Sequence, residues 1–293
     1  MGPQVFVMLG FLGAGKTEFI NQVLHDAKFP LGRSLIIQSE FGEEDPYPEA
    51  CVVDANSPDA LDAVFRQYAP ENLDTVFVEY NGMWKYAQLK DFWPDSWDVP
   101  RRMLFVDSTT VFVYNRNMRE LVYDKLVNCD LVVFNRCSEA TDIPALHSLV
   151  RNVSTSCQIV FEYSDGRRIP DTIQDELPYD LNADEVTVED DDYAIWLRDL
   201  NEHPSLYAGK IFHVKCRRGS GEDKAVLGRH VMYCCAADIA FKGIMCIEGL
   251  ERIPASQWFT VEAIIELNPS PVFRCLDAVP SDAPSPEISR IDI

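Results

Sequence analysis

The segment from Gly10 to Thr17, GFLGAGKT, fits the pattern G-x-x-x-x-G-K-[ST] at every position. A short apolar run, VFVML at 5–9, precedes it, and a helix-like segment begins at Lys16. This order predicts a loop whose backbone N–H groups face inward and bind a phosphate at the start of a helix. Glycine lets the backbone approach the anion closely and take positive φ. The segment therefore predicts a strand, a phosphate-binding loop and a helix in this order around residues 5 to 27.

The residues of this loop have distinct expected roles. Four of them line the phosphates of a nucleotide through their backbone: Gly10, Gly13, Ala14 and Gly15. Lys16 adds a positive charge between the β- and γ-phosphates, and Thr17 offers its hydroxyl to Mg²⁺.

The first half of the chain alternates strand-like and helix-like segments. Apolar runs occur at 5–9, 34–39, 74–79, 102–107, 130–135 and 157–162, with helical segments at 16–27, 59–68 and 140–151. Nearly unbroken apolar runs are typical of strands buried on both faces of a parallel sheet. We therefore predict an α/β fold of the P-loop NTPase type: an open, mostly parallel sheet with helices on both faces.

The second half has a different character. Residues 165–192 are acidic and contain Pro170 and Pro178, whereas period-two apolar patterns begin after Gly209. We expect a P-loop domain at 1–164, an acidic linker with a short helix at 165–204, a small β-rich domain at 205–280 and a loose tail at 281–293.

Composition limits the classes of partner and location. The formal net charge of −21 disfavours nucleic acid and anionic membranes as partners. None of the apolar runs is long enough to span a bilayer. The nine cysteines are scattered without a disulfide-like framework. We therefore expect a cytoplasmic protein that is not an integral membrane protein.

Two carboxylates at strand ends are candidate Mg²⁺ ligands. Glu40 follows the second strand, in QSEFGEEDPY, and Glu79 ends the third, in DTVFVEYNG. Mg²⁺ prefers oxygen ligands, so either carboxylate together with Thr17 would suffice. Gly82 follows Glu79 by three residues, a spacing that suits a switch whose N–H senses the γ-phosphate. Because phosphoryl transfer depends on positioning and electrostatics, Lys16 and Glu79 are the candidate catalytic residues.

A further loop, DLVVFNRCSE, follows the fifth strand and would contact the base. Asn135 and Arg136 stand where guanine-binding loops carry Asn and Lys, but Ser138 replaces the Asp that accepts two hydrogen bonds from guanine. Arg136 can stack on a base. Both GTP and ATP therefore remain candidate ligands, and Glu139 could substitute for the missing Asp after a shift of one residue.

With these motifs the N-terminal half resembles the CobW-type P-loop GTPases, relatives of the UreG and HypB metal-insertion proteins. The resemblance depends on GFLGAGKT, SEFGEED, VEYNG and FNRC. It implies binding of GTP and Mg²⁺, slow hydrolysis, and coupling of hydrolysis to metal delivery or metal homeostasis. The family usually carries a C-x-C-C motif after the EFG loop, whereas this chain offers only Cys51 there. One thiolate cannot make a tetrahedral metal site.

The C-terminal half resembles another group, the YcgQ-like proteins, which are uncharacterised and occur beside a predicted permease. The string RHVMYCCAAD carries this likeness. Cys234, Cys235 and Cys246 are candidate ligands for Zn²⁺ there, but buried thiols in a β core are the alternative. Neighbouring residues of a strand point to opposite faces, so Cys234 and Cys235 would need a bulge or a strand end to share one ion.

Three functions are compatible with these features. The first is a slow Mg²⁺-dependent GTPase linked to metal handling, with a metal-receiving protein as partner and dimerisation as an option. The second is a non-catalytic, nucleotide-gated adaptor or regulatory protein associated with a permease. The third is a small-molecule kinase, which would need a basic lid over the phosphates; none of the three Arg-Arg pairs stands in an obvious lid segment.

Overall fold

The computed structural model describes residues 2–26, 32–40, 51–69, 71–174, 176–220, 225–232 and 238–290. The chain divides into two compact units, Met1–Ile173 and Gln174–Ile293.

The first unit is an α/β structure. Its strands are β1 (Gln4–Leu9), β2 (Ser34–Gln38), β3 (Cys51–Asp54), β4 (Thr75–Glu79), β5 (Arg101–Asp107), β6 (Leu131–Cys137), β7 (Gln158–Tyr163) and β8 (Arg168–Pro170). Its helices are α1 (Lys16–His25), α2 (Pro58–Tyr68), α3 (Tyr86–Phe92), α4 (Val111–Asn117), α5 (Arg119–Val127) and α6 (Ile143–Arg151). The strands form one sheet in the order β3-β2-β4-β1-β5-β6-β7-β8.

Seven strands of this sheet run parallel, and only β8 pairs with its neighbour in the antiparallel sense. All five residues of β4 are buried. Since alternate side chains of a strand point to opposite faces, both faces of the sheet are covered there. The predicted mostly parallel P-loop fold is confirmed.

The topology brings the sequence motifs to one edge of the sheet. The strands β2, β4, β1, β5 and β6 are parallel neighbours, so their carboxyl ends lie at the same edge. The phosphate loop follows β1, and Glu40 lies two residues beyond β2. Glu79 and Asp107 are the last residues of β4 and β5, and Asn135 lies near the end of β6.

The second unit is mainly β-structure. It contains β9 (Glu185–Val188), α7 (Tyr193–Glu202), β10 (Ile211–Arg218), β11 (Val226–Met232), β12 (Ala240–Glu248), β13 (Phe259–Asn268), β14 (Ser270–Pro280) and β15 (Ile288–Arg290). Five strands close on themselves in the order β10-β11-β12-β14-β13 and back to β10. The β12–β14 pair is parallel, and the other four pairs of this ring are antiparallel. This is the arrangement of an OB-type Greek-key barrel, and the predicted β-rich C-terminal domain is confirmed.

Helix α7 belongs to the core of this barrel unit. Trp196 is fully buried, and its ring centroid lies 6.0 Å from that of Phe212 and 6.2 Å from that of Phe273. Tyr193 of the same helix donates a hydrogen bond to the carbonyl of Lys242 at 3.0 Å. The helix therefore packs on the barrel as an integral element.

The boundaries of the two units differ from those expected from the sequence. The first unit extends beyond 164 because β8 pairs with β7. Part of the expected linker is in the second unit, since β9 pairs with β10. Within the expected loose tail, β15 pairs with β11. Hydrogen bonding of short strands to longer ones accounts for each difference.

The helices are short in both units. The longest one among the described residues, α2, has 11 residues. None in the described ranges is both long enough and apolar enough to cross a membrane.

Candidate nucleotide-binding site

The phosphate loop has the backbone that its glycines predict. The φ angles of Gly10, Gly13 and Gly15 are 137°, 74° and 89°, in the region that favours glycine. A Cβ atom at Gly10 would lie 2.4 Å from the carbonyl oxygen of Phe105. Helix α1 begins directly afterwards, at Lys16. The loop is therefore a glycine-dependent cradle at a helix N-terminus, and its geometry fits a phosphate group.

Lys16 is buried at the centre of this cradle. Its Nζ donates to the carbonyl oxygens of Gly10 at 2.8 Å and Phe11 at 3.0 Å. It also contacts Oε2 of Glu40 at 2.6 Å. The side chain thus points back over the loop, as a residue that contacts the β- and γ-phosphates must.

Thr17 and Glu79 form a second contact at the start of α1. The Thr17 hydroxyl donates to Oε1 of Glu79 at 2.6 Å. A hydroxyl and a carboxylate side by side are the oxygen ligands that Mg²⁺ prefers, so this pair fits the ion. Of the two candidate carboxylates, Glu79 is the one in contact with Thr17, whereas Glu40 contacts Lys16.

The loop after β4 packs against the phosphate loop. The N–H of Gly82 donates to Oε1 of Glu40 at 2.7 Å. A Cβ atom at Gly82 would lie 2.6 Å from the carbonyl oxygen of Gly10 and 2.7 Å from Cα of Phe11. Only glycine allows the two loops to approach this closely. Lys16, Thr17, Glu40, Glu79 and Gly82 are therefore together at one site.

The candidate base-binding residues also contact the phosphate loop. Asn135 Nδ2 donates to the carbonyl of Ala14 at 2.7 Å, and Arg136 donates to that of Gly13 at 3.0 Å. Arg136 has a positive φ of 55°, and its guanidinium pairs with Asp107 at 2.5 Å. Oδ1 of Asn135 is buried and accepts no hydrogen bond from the described residues, so it fits a ligand that donates one.

Asp107 is a candidate site residue that no sequence motif indicated. It accepts hydrogen bonds from the backbone N–H and the hydroxyl of Thr109, at 2.8 and 2.6 Å, and it pairs with Arg136. Burial alone would raise the pKa of Asp107, but these hydrogen bonds and the Arg136 charge hold it below the usual value. Its position at the end of the apolar run at 102–107 was the available signal.

Ser138 and Glu139 lie at the exposed side of the base loop. The hydroxyl of Ser138 accepts a hydrogen bond from the N–H of Ala140 at 3.3 Å, within its own turn. Glu139 pairs with Arg167 at 2.8 Å. Both oxygen-bearing side chains thus have local partners.

Lys125 is a second missed residue. It is 2% exposed, and its Nζ lies 5.1 Å from the centre of the Phe11 ring and donates to the carbonyl of Trp84 at 3.4 Å. Burial lowers its pKa to about 8, and the charge of Lys16 contributes in the same direction. Together with Val111 and Tyr114 it lines a mainly apolar cavity of about 130 Å³ beside the phosphate loop. In α5, Lys125 lies on the same side as the apolar residues Val122 and Leu126, and this position was the signal that its side chain is buried.

The candidate zinc ligands of the second unit are only partly described. Cys234 and Cys235 lie outside the described residues. Cys246 is buried, and burial raises its pKa, as it does for Cys216 and for Cys275, whose value is about 11. Burial of these thiols fits the alternative interpretation, in which they are small apolar residues of a β core. In the part of the chain that the structure describes, no group of three or more His, Cys, Asp or Glu residues is placed to hold a metal ion.

Comparison with known proteins gave similar solved structures and one family-model match. Among solved structures, the Zn(II)-bound YjiA GTPase from E. coli is 17% identical, with a TM-score of 0.43 over 54% of this chain and 57% of that chain. A Zn(II)-bound triple mutant of YjiA GTPase is 18% identical, with a TM-score of 0.43 over 55% and 58%. The hydrogenase maturation factor HypB from Archaeoglobus fulgidus is 11% identical, with a TM-score of 0.43 over 56% and 83%.

The chain thus spans a little over half the length of the YjiA chains that it matches. No curated protein matches the sequence. Residues 165–277 match the family model described as the DUF1980 C-terminal domain, and this range includes the whole of RHVMYCCAAD. The chain therefore joins a P-loop α/β unit to a barrel unit that is similar to the DUF1980 C-terminal domain.

Proposed function

We propose that this protein is a CobW-like P-loop nucleotide-binding protein, and that it acts as a slow Mg²⁺-dependent GTPase linked to metal homeostasis or metal delivery. The observation that carries the proposal is the meeting of Lys16, Thr17, Glu79 and Gly82 around a glycine-dependent phosphate loop. These residues come from separate segments of the sequence. Binding of a nucleoside triphosphate with Mg²⁺ uses a side-chain or backbone group of each of them.

The roles of the residues follow from their contacts. The loop amides and Lys16 hold the phosphates, and Gly82 offers its N–H to the γ-phosphate. Thr17 and Glu79 would hold Mg²⁺, which when bound neutralises charge on the β- and γ-phosphates. Asn135 and Arg136 join the base loop to the phosphate loop, so that the base and the phosphates would be bound at the same edge of the sheet. Catalysis in this scheme is positioning and electrostatic stabilisation.

The first test is nucleotide binding followed by phosphate release. Lys16→Ala should abolish binding of GTP and ATP measured by calorimetry in the presence of Mg²⁺, because it removes the charge at the centre of the cradle. Lys90→Ala, which removes an exposed lysine of the same unit, is the matched control. Unchanged affinity in a Lys16→Ala protein that melts like the wild type would contradict the proposal.

The second candidate is a nucleotide-gated adaptor or regulatory protein without useful turnover, associated with a permease. Ser138 in place of an Asp and the single cysteine after the EFG loop favour it. Tight nucleotide binding with no phosphate release would identify this class. For either class we propose a cytoplasmic location and a protein partner that receives metal or the nucleotide signal.

A further inference from the structure

The carboxylate of Glu40 joins two loops of the phosphate site. Oε2 contacts Nζ of Lys16 at 2.6 Å, and Oε1 accepts the N–H of Gly82 at 2.7 Å. The side chains of Glu40 and Lys16 are 8% and 3% exposed. One buried anion therefore satisfies one donor from the start of α1 and one from the loop after β4.

These two donors are the groups that a γ-phosphate would use. The lysine of a phosphate loop reaches the β- and γ-phosphates, and the N–H of the switch glycine after the neighbouring strand contacts the γ-phosphate. A carboxylate resembles the terminal part of a phosphate, because it offers two negatively charged oxygens to two donors. In this structure Glu40 takes both contacts.

The close packing of the loops leaves little freedom at this position. Gly82 lies so close to Gly10 and Phe11 that even a Cβ atom would clash with their backbones. The three hydrogen bonds of Lys16 to Gly10, Phe11 and Glu40 hold its ammonium in the same place. The carboxylate and a γ-phosphate would thus compete for Lys16 and the Gly82 N–H.

We propose that Glu40 is an internal substitute for the γ-phosphate and determines how strongly the site prefers a nucleoside diphosphate over a triphosphate. This inference rests on the proposed function. A diphosphate leaves the Glu40–Gly82 contact in place. A triphosphate gains Lys16 and Gly82 only by displacing Glu40, so part of its binding free energy is lost to that displacement.

Loss of Glu40 should change triphosphate binding in the opposite direction to that expected if Glu40 were a Mg²⁺ ligand. If Glu40 held the ion, its loss would weaken triphosphate binding in the presence of Mg²⁺ and have little effect in EDTA. If Glu40 occupies the γ-phosphate position, its loss strengthens triphosphate binding relative to diphosphate binding in both conditions. A substitution at Glu40 leaves Thr17 and Glu79, the pair proposed to bind Mg²⁺, unchanged.

The experiment measures the affinities of fluorescent GDP and of fluorescent, non-hydrolysable GMPPNP for the full-length protein, with Mg²⁺ and with EDTA. The variants are Glu40→Gln and Glu40→Ala. The control is Glu120→Gln, which removes an exposed carboxylate paired with Lys85. We expect the ratio Kd(GDP)/Kd(GMPPNP) to rise by about tenfold or more in both variants, with and without Mg²⁺, and to stay unchanged in the control.

Glu40→Asp tests the geometry if the other variants fold poorly. It keeps the charge, but its shorter side chain cannot reach both donors, so the ratio should rise in the same direction. An unchanged or lower ratio in the folded variants would overturn the inference while leaving the proposed function standing. Failure of the wild type and all variants to bind either nucleotide would overturn both.

Discussion

The side chain of Lys125 is a buried cation next to the phosphate site. It forms no ion pair within the described ranges, and its contacts are the Phe11 ring and the carbonyl of Trp84. Burial lowers its pKa from 10.5 to about 8. The folded protein therefore disfavours the charged form of this lysine, which the unfolded chain exposes to water.

The depressed pKa makes stability depend on pH. Between about pH 8 and 10.5 the folded state has released the Lys125 proton and the unfolded state still binds it, so this residue makes stability rise with pH. Lys125→Met should remove that rise. The free energy of unfolding of the variant, relative to wild type, should be highest below pH 8 and fall by up to about 3 kcal/mol by pH 10.5.

Urea unfolding of both proteins across this pH range measures the effect. Lys90→Met is the control, because Lys90 is exposed and its removal should give a difference that does not depend on pH. If the difference in free energy of unfolding between Lys125→Met and wild type stays constant from pH 7 to 10.5, burial does not lower the pKa of Lys125.

In the proposed function, Ser138 is the residue expected to set base selectivity. We expect Ser138→Asp to raise the preference for GTP over ATP about tenfold, because a carboxylate accepts two hydrogen bonds from guanine, a contact worth about 1–3 kcal/mol in base recognition. Competition between the two nucleotides for the site measures the ratio. Ser156→Asp adds the same charge at an exposed position of the same unit as a control. A wild-type protein that already rejects ATP a thousandfold would refute this expectation.

Individual site residues were predictable where a motif gave both residue type and position. Lys16, Thr17 and Gly82 belong to short patterns in which the chemistry requires one residue type at one spacing. Lys125 and Asp107 could not be assigned in the same way. Their environments are created by contacts with distant segments, such as Trp84 and Arg136, which spacing does not reveal.

At the scale of elements, Arg229 connects the barrel to the segment before α7. This side chain is fully buried, donates to the carbonyls of Lys215 and Asp190 at 2.5 and 3.1 Å, and pairs with the Asp190 carboxylate at 3.0 Å. Its guanidinium also lies 4.7 Å from the ring centre of Tyr193. The β11 strand, the loop after β9 and α7 are thus joined through one residue.

Loss of this residue should destabilise the second unit. Arg229→Met keeps the apolar stem but leaves two partly buried carbonyls and the Asp190 carboxylate without their guanidinium donor, so we expect a loss of about 3 kcal/mol in the free energy of unfolding. Chemical denaturation followed by near-UV circular dichroism measures it. The control Arg274→Met removes an ion pair with Glu266 that is partly exposed and should cost less than about 1 kcal/mol. Equal effects of the two substitutions would argue against the proposed role.

Elements were predictable where their pattern was long. The run of β13 alternates buried and partly buried residues over eight positions, and β1 and β4 are continuous apolar runs. The strands β9 and β15 have four and three residues, too few to establish a period of two. They are strands only because β10 and β11 pair with each other over two residues each, which leaves the rest of these edges free to pair with β9 and β15.

At the scale of the whole molecule, the boundary between the units decides which fragments fold alone. A fragment of residues 205–280, the domain expected from the sequence, would lack β9, α7 and β15. It would thereby lose Trp196 and Leu200, which are fully buried in the barrel core, and expose the edges that β9 and β15 cover. Removing a buried large aromatic side chain costs about 3–5 kcal/mol, a large share of the stability of a small domain.

We therefore expect residues 174–293 to unfold cooperatively as an isolated fragment, whereas residues 205–280 should show no cooperative transition. Thermal unfolding followed by circular dichroism distinguishes the two. The matched control is residues 174–293 carrying Trp196→Ala, which should melt at a lower temperature than the unsubstituted fragment because it leaves a cavity in the same core. Elemental analysis of 174–293 for zinc, together with a Cys246→Ser variant, tests the thiol ligands in a fragment that retains the whole core. If residues 205–280 melt as cooperatively and at the same temperature as residues 174–293, the helix and the two short strands are accessory to the barrel, and the division of the chain at 173 has no energetic basis.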